Sequence, residues 1–234
     1  LFTTTGASIL KEVESLPRGV LFWRSFSHWV GGMGVLVFVM AILPMSENRS
    51  MVLMRAEVPG PTASKLVPRM RDTAKILYGT YSVMTLALIV LLLLGGMPWF
   101  DAVCHAMGTA GTGGFSVRNA GIAYYNSPYI EVVLSIFMLL FAINFNLYYL
   151  ILIRRVREAL KSEELHWFLG IVAGAVLIIT ACVLPLYSGL GESLRHALFQ
   201  VSSIISTTGF ATVDFALWPV LAQEVLLVLM FVGA

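Results

Sequence analysis

The stretch from Asp101 to Phe115 reads D-A-V-C-H-A-M-G-T-A-G-T-G-G-F, and that from His196 to Phe210 reads H-A-L-F-Q-V-S-S-I-I-S-T-T-G-F. At an offset of 95 residues, Ala102 falls on Ala197, Thr112 on Thr207, Gly114 on Gly209, Phe115 on Phe210 and Asn119 on Asp214. Each stretch includes most of a short apolar segment, Pro98 to Gly108 or Glu192 to Ser203, that runs into a Thr/Gly-rich turn. At 1.5 Å per residue, a helix of such a length reaches about 16 Å, roughly half of a hydrocarbon core of about 30 Å. It can dip into a membrane but cannot cross it. A long apolar stretch stands before and after each dip, and this shared order of segments marks a duplicated unit. Leu1 to Ser8, L-F-T-T-T-G-A-S, supplies a third copy of the turn, with Thr4, Thr5 and Gly6 opposite Thr207, Thr208 and Gly209.

Composition agrees with a membrane setting. Of the 234 residues 58% are hydrophobic and 12% charged, against about 45–50% and about 25% in a soluble domain. Five long apolar stretches stand out: Val20 to Pro44, Ile76 to Met97, Tyr129 to Ile153, Trp167 to Tyr187, and Leu217 to the end. All but the last are long enough to span a bilayer. The expected organisation is residues 1–44 as a filter loop and second helix of a first repeat, 45–75 as a cytoplasmic loop, 76–155 as a second repeat, 156–166 as another cytoplasmic loop, and 167–234 as a truncated third repeat. With no initiator Met and an unfinished last span, the chain is expected to be an internal piece of a longer protein. A net charge of +2 excludes nucleic acid as a partner, and Cys104 and Cys182, 78 positions apart in apolar surroundings, suit inert thiols.

Basic residues are retained on the cytoplasmic side of a membrane. Arg49, Arg55, Lys65, Arg69, Arg71 and Lys75 follow the first span, and Arg154, Arg155, Arg157 and Lys161 follow the third; together they are ten of the fifteen basic residues. Those loops are therefore expected in the cytoplasm, with both dips and the N-terminal turn facing outward.

Irregular backbone at membrane depth is tolerated only where it is buried in protein or lines a watery path. Glycine at Gly6, Gly113, Gly114 and Gly209 permits backbone angles that aim successive carbonyls inward, and a ring of carbonyls replaces the hydration shell of a monovalent cation. A half-helix ending at the turn adds its negative dipole pole. The chemistry expected is selective cation permeation. Other polar residues have simpler readings. Asp214 concentrates cations at the pore mouth or caps a turn. Glu131 and Glu224 suit the dipole of a first helical turn. Asn144 and Asn146 bond across helices or line a cavity, and Gly170 and Gly174 form a G-x-x-x-G helix contact. His28, His105, His166 and His196 lack the spacing of metal ligands.

The turns T-T-T-G-A-S, G-T-G-G-F-S and S-T-T-G-F-A-T, with L-P-R-G-V-L-F-W-R-S at 16–25 and W-V-G-G-M-G at 29–34, resemble the membrane subunit of the Trk/Ktr/HKT potassium transporters, the Trk branch in particular. The resemblance spans essentially the whole chain. It implies an all-α integral membrane protein, with pseudo-repeats of helix, pore helix, filter loop and helix around one central ion pathway, as in potassium channels. Carried over by position, the filter contributors are Thr4, Thr5 and Gly6; Gly111, Thr112, Gly113 and Gly114; and Thr207, Thr208 and Gly209. The middle turn has Gly113 where the others have Thr, so which of its two glycines holds the critical conformation stays open. The resemblance further implies K⁺ as the transported ion, a homodimer, a cytosolic nucleotide-binding regulatory subunit, and a place in a bacterial cytoplasmic membrane. The chain itself carries neither G-x-G-x-x-G after a strand nor G-x-x-x-x-G-K-[ST], so no nucleotide site is expected in it. Alternatives are Na⁺ or Na⁺/K⁺ transport on the same fold, against which Gly6 stands where Na⁺-selective relatives have serine, a non-conducting scaffold, and an intramembrane enzyme using Asp101, His105 or His196. The enzyme requires facing acid, base or nucleophile groups on spans, whereas these residues sit at or near the starts of half-helices.

Overall fold

The computed structural model describes Thr3, Thr4, Gly6, Leu10 and residues 12–34 and 70–233. These form helices α1 (Arg18–Gly32), α2 (Met70–Leu94), α3 (Trp99–Ala110), α4 (Pro128–Ala142), α5 (Phe145–Leu152), α6 (Val156–Leu160), α7 (Glu163–Val183), α8 (Leu190–Ile205) and α9 (Val220–Val232), with no strand among the described residues. The chain is all-α. The basic loop expected at 45–75 lies outside the described residues as far as 69, and so do Thr5 and the second half of the first span. The loop expected at 156–166 contains the short α6 and the start of α7.

Local signals explain where these elements start. Pro98 and Pro219 immediately precede α3 and α9, and Pro128 opens α4 behind Ser127, whose hydroxyl accepts the Ile130 N–H at 3.5 Å, in keeping with proline's fixed φ at a helix start. Residues 74–94 of α2 and Glu163–Leu186 are long and apolar enough to cross a membrane. The half-length α3, at 12 residues, sits between α2 and α4, while α8, at 16 residues, sits between α7 and α9. α8 is longer than the Glu192 to Ser203 segment expected, yet at about 24 Å it remains too short to cross.

The third span is not continuous. α4 and α5 are bent by 88° at Ile143 and Asn144. Ile143 is extended, and the Asn144 side chain accepts the Asn146 N–H at 3.0 Å, so it starts a new helix instead of continuing the old one. This local competition is the usual behaviour of Asn within a helix. Tyr148 O–H donates to the Leu140 carbonyl at 2.7 Å, satisfying one group freed by the break. The Asn144 amide reaches Glu164 at the start of α7, 3.4 Å away.

Packing crosses between repeats. α1 lies on α3, and α4 lies on α8, so the second helix of one unit supports the half-helix of the next. Ala102, Ala106 and Ala110 are small residues one turn apart on α3, and their near-complete burial lets Leu88 and Leu92 of α2 and Leu134 of α4 join one core. A second core joins Ile179 and Val183 of α7, Ala197 and Val201 of α8, and Ala222 and Leu226 of α9. Large apolar side chains also face outward, among them Leu86 and Leu94 on α2, Leu177 on α7 and Phe231 on α9, as helices in lipid require. Gly170 and Gly174 are on such an outer face: a Cβ at either would meet nothing within 4 Å among the described residues. Among the described residues, neither glycine makes the close helix contact expected.

Glu131 in the first turn of α4 is paired across the repeat boundary, and capping is left to Ser127. Its carboxylate is 3.1 Å from Arg195 Nε and 3.8 Å from His196 Nδ1, both on α8. The His196 ring lies tilted against Tyr187, centroids 4.9 Å apart, and the Tyr187 hydroxyl accepts the Trp218 N–H. Removing one partner of a buried pair costs about 3–5 kcal/mol. The 22% exposure of the Arg195 side chain places this pair near the low end. Glu131→Ala is expected to lower the apparent melting temperature of the detergent-solubilised full-length protein, and Glu131→Leu with Arg195→Leu to recover most of the loss.

Candidate functional site

The two half-helices end in the same way. Gly111 and Ser206 close α3 and α8 at φ −78° and −81°, and the next residues, Thr112 and Thr207, turn to left-handed φ of 55° and 57°. Thr112 N–H donates to the Thr109 carbonyl at 3.1 Å and Thr207 N–H to the Ile204 carbonyl at 3.0 Å. Each Thr hydroxyl bonds to the preceding carbonyl at 2.7 Å. Two residues on, Gly114 and Gly209 are again left-handed, at φ 62° and 85°; Gly113 and Thr208 between them are not. In the N-terminal copy Thr4 has φ 52° and Gly6 has φ 74°. A β-branched residue with positive φ is a steric outlier, and such strain costs on the order of 1–3 kcal/mol per residue. Among the described residues five that are not glycine have positive φ, and three of them are these threonines. Gly114 thus shares its backbone state with Gly6 and Gly209, and Gly113 occupies the place of Thr208.

The turns also meet one another. A Cβ built on Gly6 would be 3.5 Å from the Gly113 carbonyl oxygen. One on Gly114 would lie 2.9 Å from the Gly209 carbonyl carbon and would overlap the Thr208 carbonyl oxygen. The first turn therefore borders the second, and the second borders the third. Of the candidate filter residues, Thr4, Gly6, Gly111, Thr112, Gly113, Gly114, Thr207, Thr208 and Gly209 fall in these turns, and Thr5 lies outside the described residues.

The chain beyond the second and third turns is pinned to the half-helix before it. In repeat two, Asp101 at the start of α3 holds Arg118 at 3.0 Å and accepts the Tyr125 O–H at 2.7 Å. His105 bridges the Asp101 carbonyl and the Ser116 hydroxyl. Burial first, then the bond to Asp101, raises the Tyr125 phenol above its usual range, which keeps it a donor. In repeat three, the Ser203 hydroxyl donates to the Phe210 carbonyl at 2.6 Å; at the matching Gly108 a Cβ would come 3.1 Å from the Phe115 carbonyl. Asn119 accepts the Val13 N–H at 2.8 Å and donates its own N–H to Glu14 at 3.2 Å, tying the outer segment of repeat one to that of repeat two. Asp214 accepts the Ala216 N–H at 3.0 Å and so caps a short 3₁₀ turn. Asp101, His105 and His196 are engaged in these structural networks.

A family model described as TrkH, cation transport protein, matches residues 1–234. The chain belongs to the TrkH family. It is 39% identical over 99% of its length to the Trk system potassium uptake protein TrkG of Escherichia coli strain K12, covering 48% of that protein. It is 39% identical to the Trk system potassium uptake protein TrkH of Halomonas elongata, with the same coverage. The crystal structure of the potassium transporter TrkH from Vibrio parahaemolyticus superposes with a TM-score of 0.83 at 33% identity, over all of this chain and 48% of that one. The chain thus has the all-α membrane fold of the TrkH family and spans about half the length of the curated relatives it matches.

One residue at the site is not marked by the sequence. His28 of α1 is fully buried, with its ring against Gly111 and Gly113 of the second turn. Histidine spacing is silent about it; the signal was the pair of glycines at 111 and 113, where the third turn has Ser206 and Thr208.

The geometry ranks two substitutions. Among the described residues Gly209→Ala is opposed by φ alone, about 1–2 kcal/mol for a left-handed residue with a Cβ. Gly114→Ala has that strain and a backbone overlap besides, and overpacking adds typically about 1–3 kcal/mol. Thermal unfolding of the full-length protein is expected to order stability as parent, Gly209→Ala, then Gly114→Ala.

Proposed function

We propose that the full-length protein takes up K⁺ across a bacterial cytoplasmic membrane, and that this chain supplies three of its filter turns. The carrying observation is the threefold recurrence of left-handed Thr and left-handed Gly two residues later, in turns that border one another. Alternating handedness turns successive carbonyls toward one side. Oxygens from Thr4, Thr5, Gly6, Gly111, Thr112, Gly113, Gly114, Thr207, Thr208 and Gly209 then replace the water around a dehydrated cation. Strained threonine is retained because these carbonyls serve the ion. The C-terminal poles of α3 and α8 add negative potential at the same place.

Potassium over sodium is favoured by Gly6, since a larger side chain would disturb the left-handed backbone of that turn. The uptake roles named for the relatives in Escherichia coli and Halomonas elongata support the same ion. Positive charge at 49–75 and 154–161 orients the turns outward. Assembly as a homodimer with a cytosolic nucleotide-binding subunit completes the proposal, with the basic loops as the docking side and no nucleotide held by this chain.

Expression of the full-length protein in cells lacking potassium uptake tests it. Growth at limiting K⁺ and uptake of radioactive Rb⁺ are expected, with K⁺ preferred over Na⁺, and Gly209→Ser and Gly114→Ser are expected to reduce that preference. No uptake by the parent removes the transport reading. An unchanged preference in both variants removes the filter assignment.

A further inference from the structure

We infer that His28 is a positioning residue for ion selectivity: its ring fills the space behind the second filter turn that the Ser206 and Thr208 side chains fill behind the third. The inference rests on the filter reading above. Gly111, Gly113 and Phe115, three alternate residues of the turn, all lie against the His28 ring. A Cβ on Gly111 would fall 2.5 Å from His28 Cδ2 and 2.9 Å from the His28 carbonyl oxygen. One on Gly113 would fall 2.6 Å from Cδ2 and nearer still to Cε1 and Nε2. Phe115 meets the same ring edge-on, with centroids 5.1 Å apart and planes at 88°. One imidazole therefore backs three alternate residues of the turn.

Repeat three solves the same problem differently. The matching positions are Ser206, Thr208 and Phe210, and the Ser206 and Thr208 hydroxyls lie 2.7 Å apart, both side chains buried. The missing side chains at Gly111 and Gly113 are thus matched by a bulky ring on the supporting helix. That helix is firmly placed: Tyr81 O–H donates to the Trp29 carbonyl at 3.0 Å, Tyr78 O–H to the Val30 carbonyl at 3.1 Å, and Trp29 N–H to Thr85 at 3.0 Å. His28 acts through the backbone of the turn, and its ring volume decides how far the Thr112 and Gly113 carbonyls can yield toward a smaller ion.

The test exchanges one solution for the other in the full-length protein. Variants Gly113→Thr, His28→Ala and the triple Gly111→Ser, Gly113→Thr, His28→Ala are compared with the parent for Rb⁺ against Na⁺ uptake and for apparent melting temperature in detergent. Each of the first two is expected to lose at least about tenfold in discrimination, equivalent to about 1.4 kcal/mol. The triple is expected to regain most of it, together with the melting temperature. Gly113→Thr keeping the discrimination of the parent overturns the inference, and so does a triple no better than Gly113→Thr. A parent that takes up no Rb⁺ contradicts the transport reading instead, and recovery of melting temperature by the triple still supports the ring-for-side-chain exchange.

Discussion

Irregular backbone is costly at membrane depth, and the described architecture is arranged around three Thr/Gly turns whose backbone leaves the helical state. A helix satisfies its own backbone, and α2 and α7 are long and apolar enough to cross on that principle. The turns after α3 and α8 do not. Their backbone is held in left-handed states at Thr112, Gly114, Thr207 and Gly209, and two of those four are residues that resist it. Strain of this sort persists where the surroundings over-determine it. Here they include the half-helix behind each turn, the hydroxyl bonds of Thr112 and Thr207, and the Ser203 bond to the Phe210 carbonyl.

Those surroundings come largely from the neighbouring repeat. α1 supports α3, α4 supports α8, Glu131 of α4 grips Arg195 of α8, and Asn119 holds Val13 and Glu14. A turn is therefore positioned by two units, its own and the one before it. Gly114 is pressed against Thr208 and Gly209 in the same order. Turns held in this way keep their shape only when their neighbours are in place, which links stability to the geometry of the proposed ion path.

Much of this was legible in the residues. The duplicated turns, the half-length segments and the family resemblance follow from Thr, Gly and hydrophobic run lengths, and the family match spans residues 1–234. Other features depend on contacts that hydropathy does not encode. An apolar run from Tyr129 to Ile153 reads as one span, because one capping Asn144 hardly alters average polarity yet redirects the helix by 88°. Gly113 and Gly114 are identical as letters and differ only in φ and in what they touch. Glu131 fits a first-turn dipole reading until Arg195 comes within reach. His28 is one of four unspaced histidines in the sequence and gains meaning only from Gly111 and Gly113 packed on its ring.

The central claim is that carbonyls of these turns bind a dehydrated potassium ion. Anomalous diffraction from crystals of the full-length protein soaked in Rb⁺ tests it most directly. The account predicts Rb⁺ density on the axis bordered by the carbonyls of the Gly6, Gly114 and Gly209 turns, lost when Rb⁺ is exchanged for Na⁺. Rb⁺ density confined to other parts of the protein, with none between the turns, would contradict it.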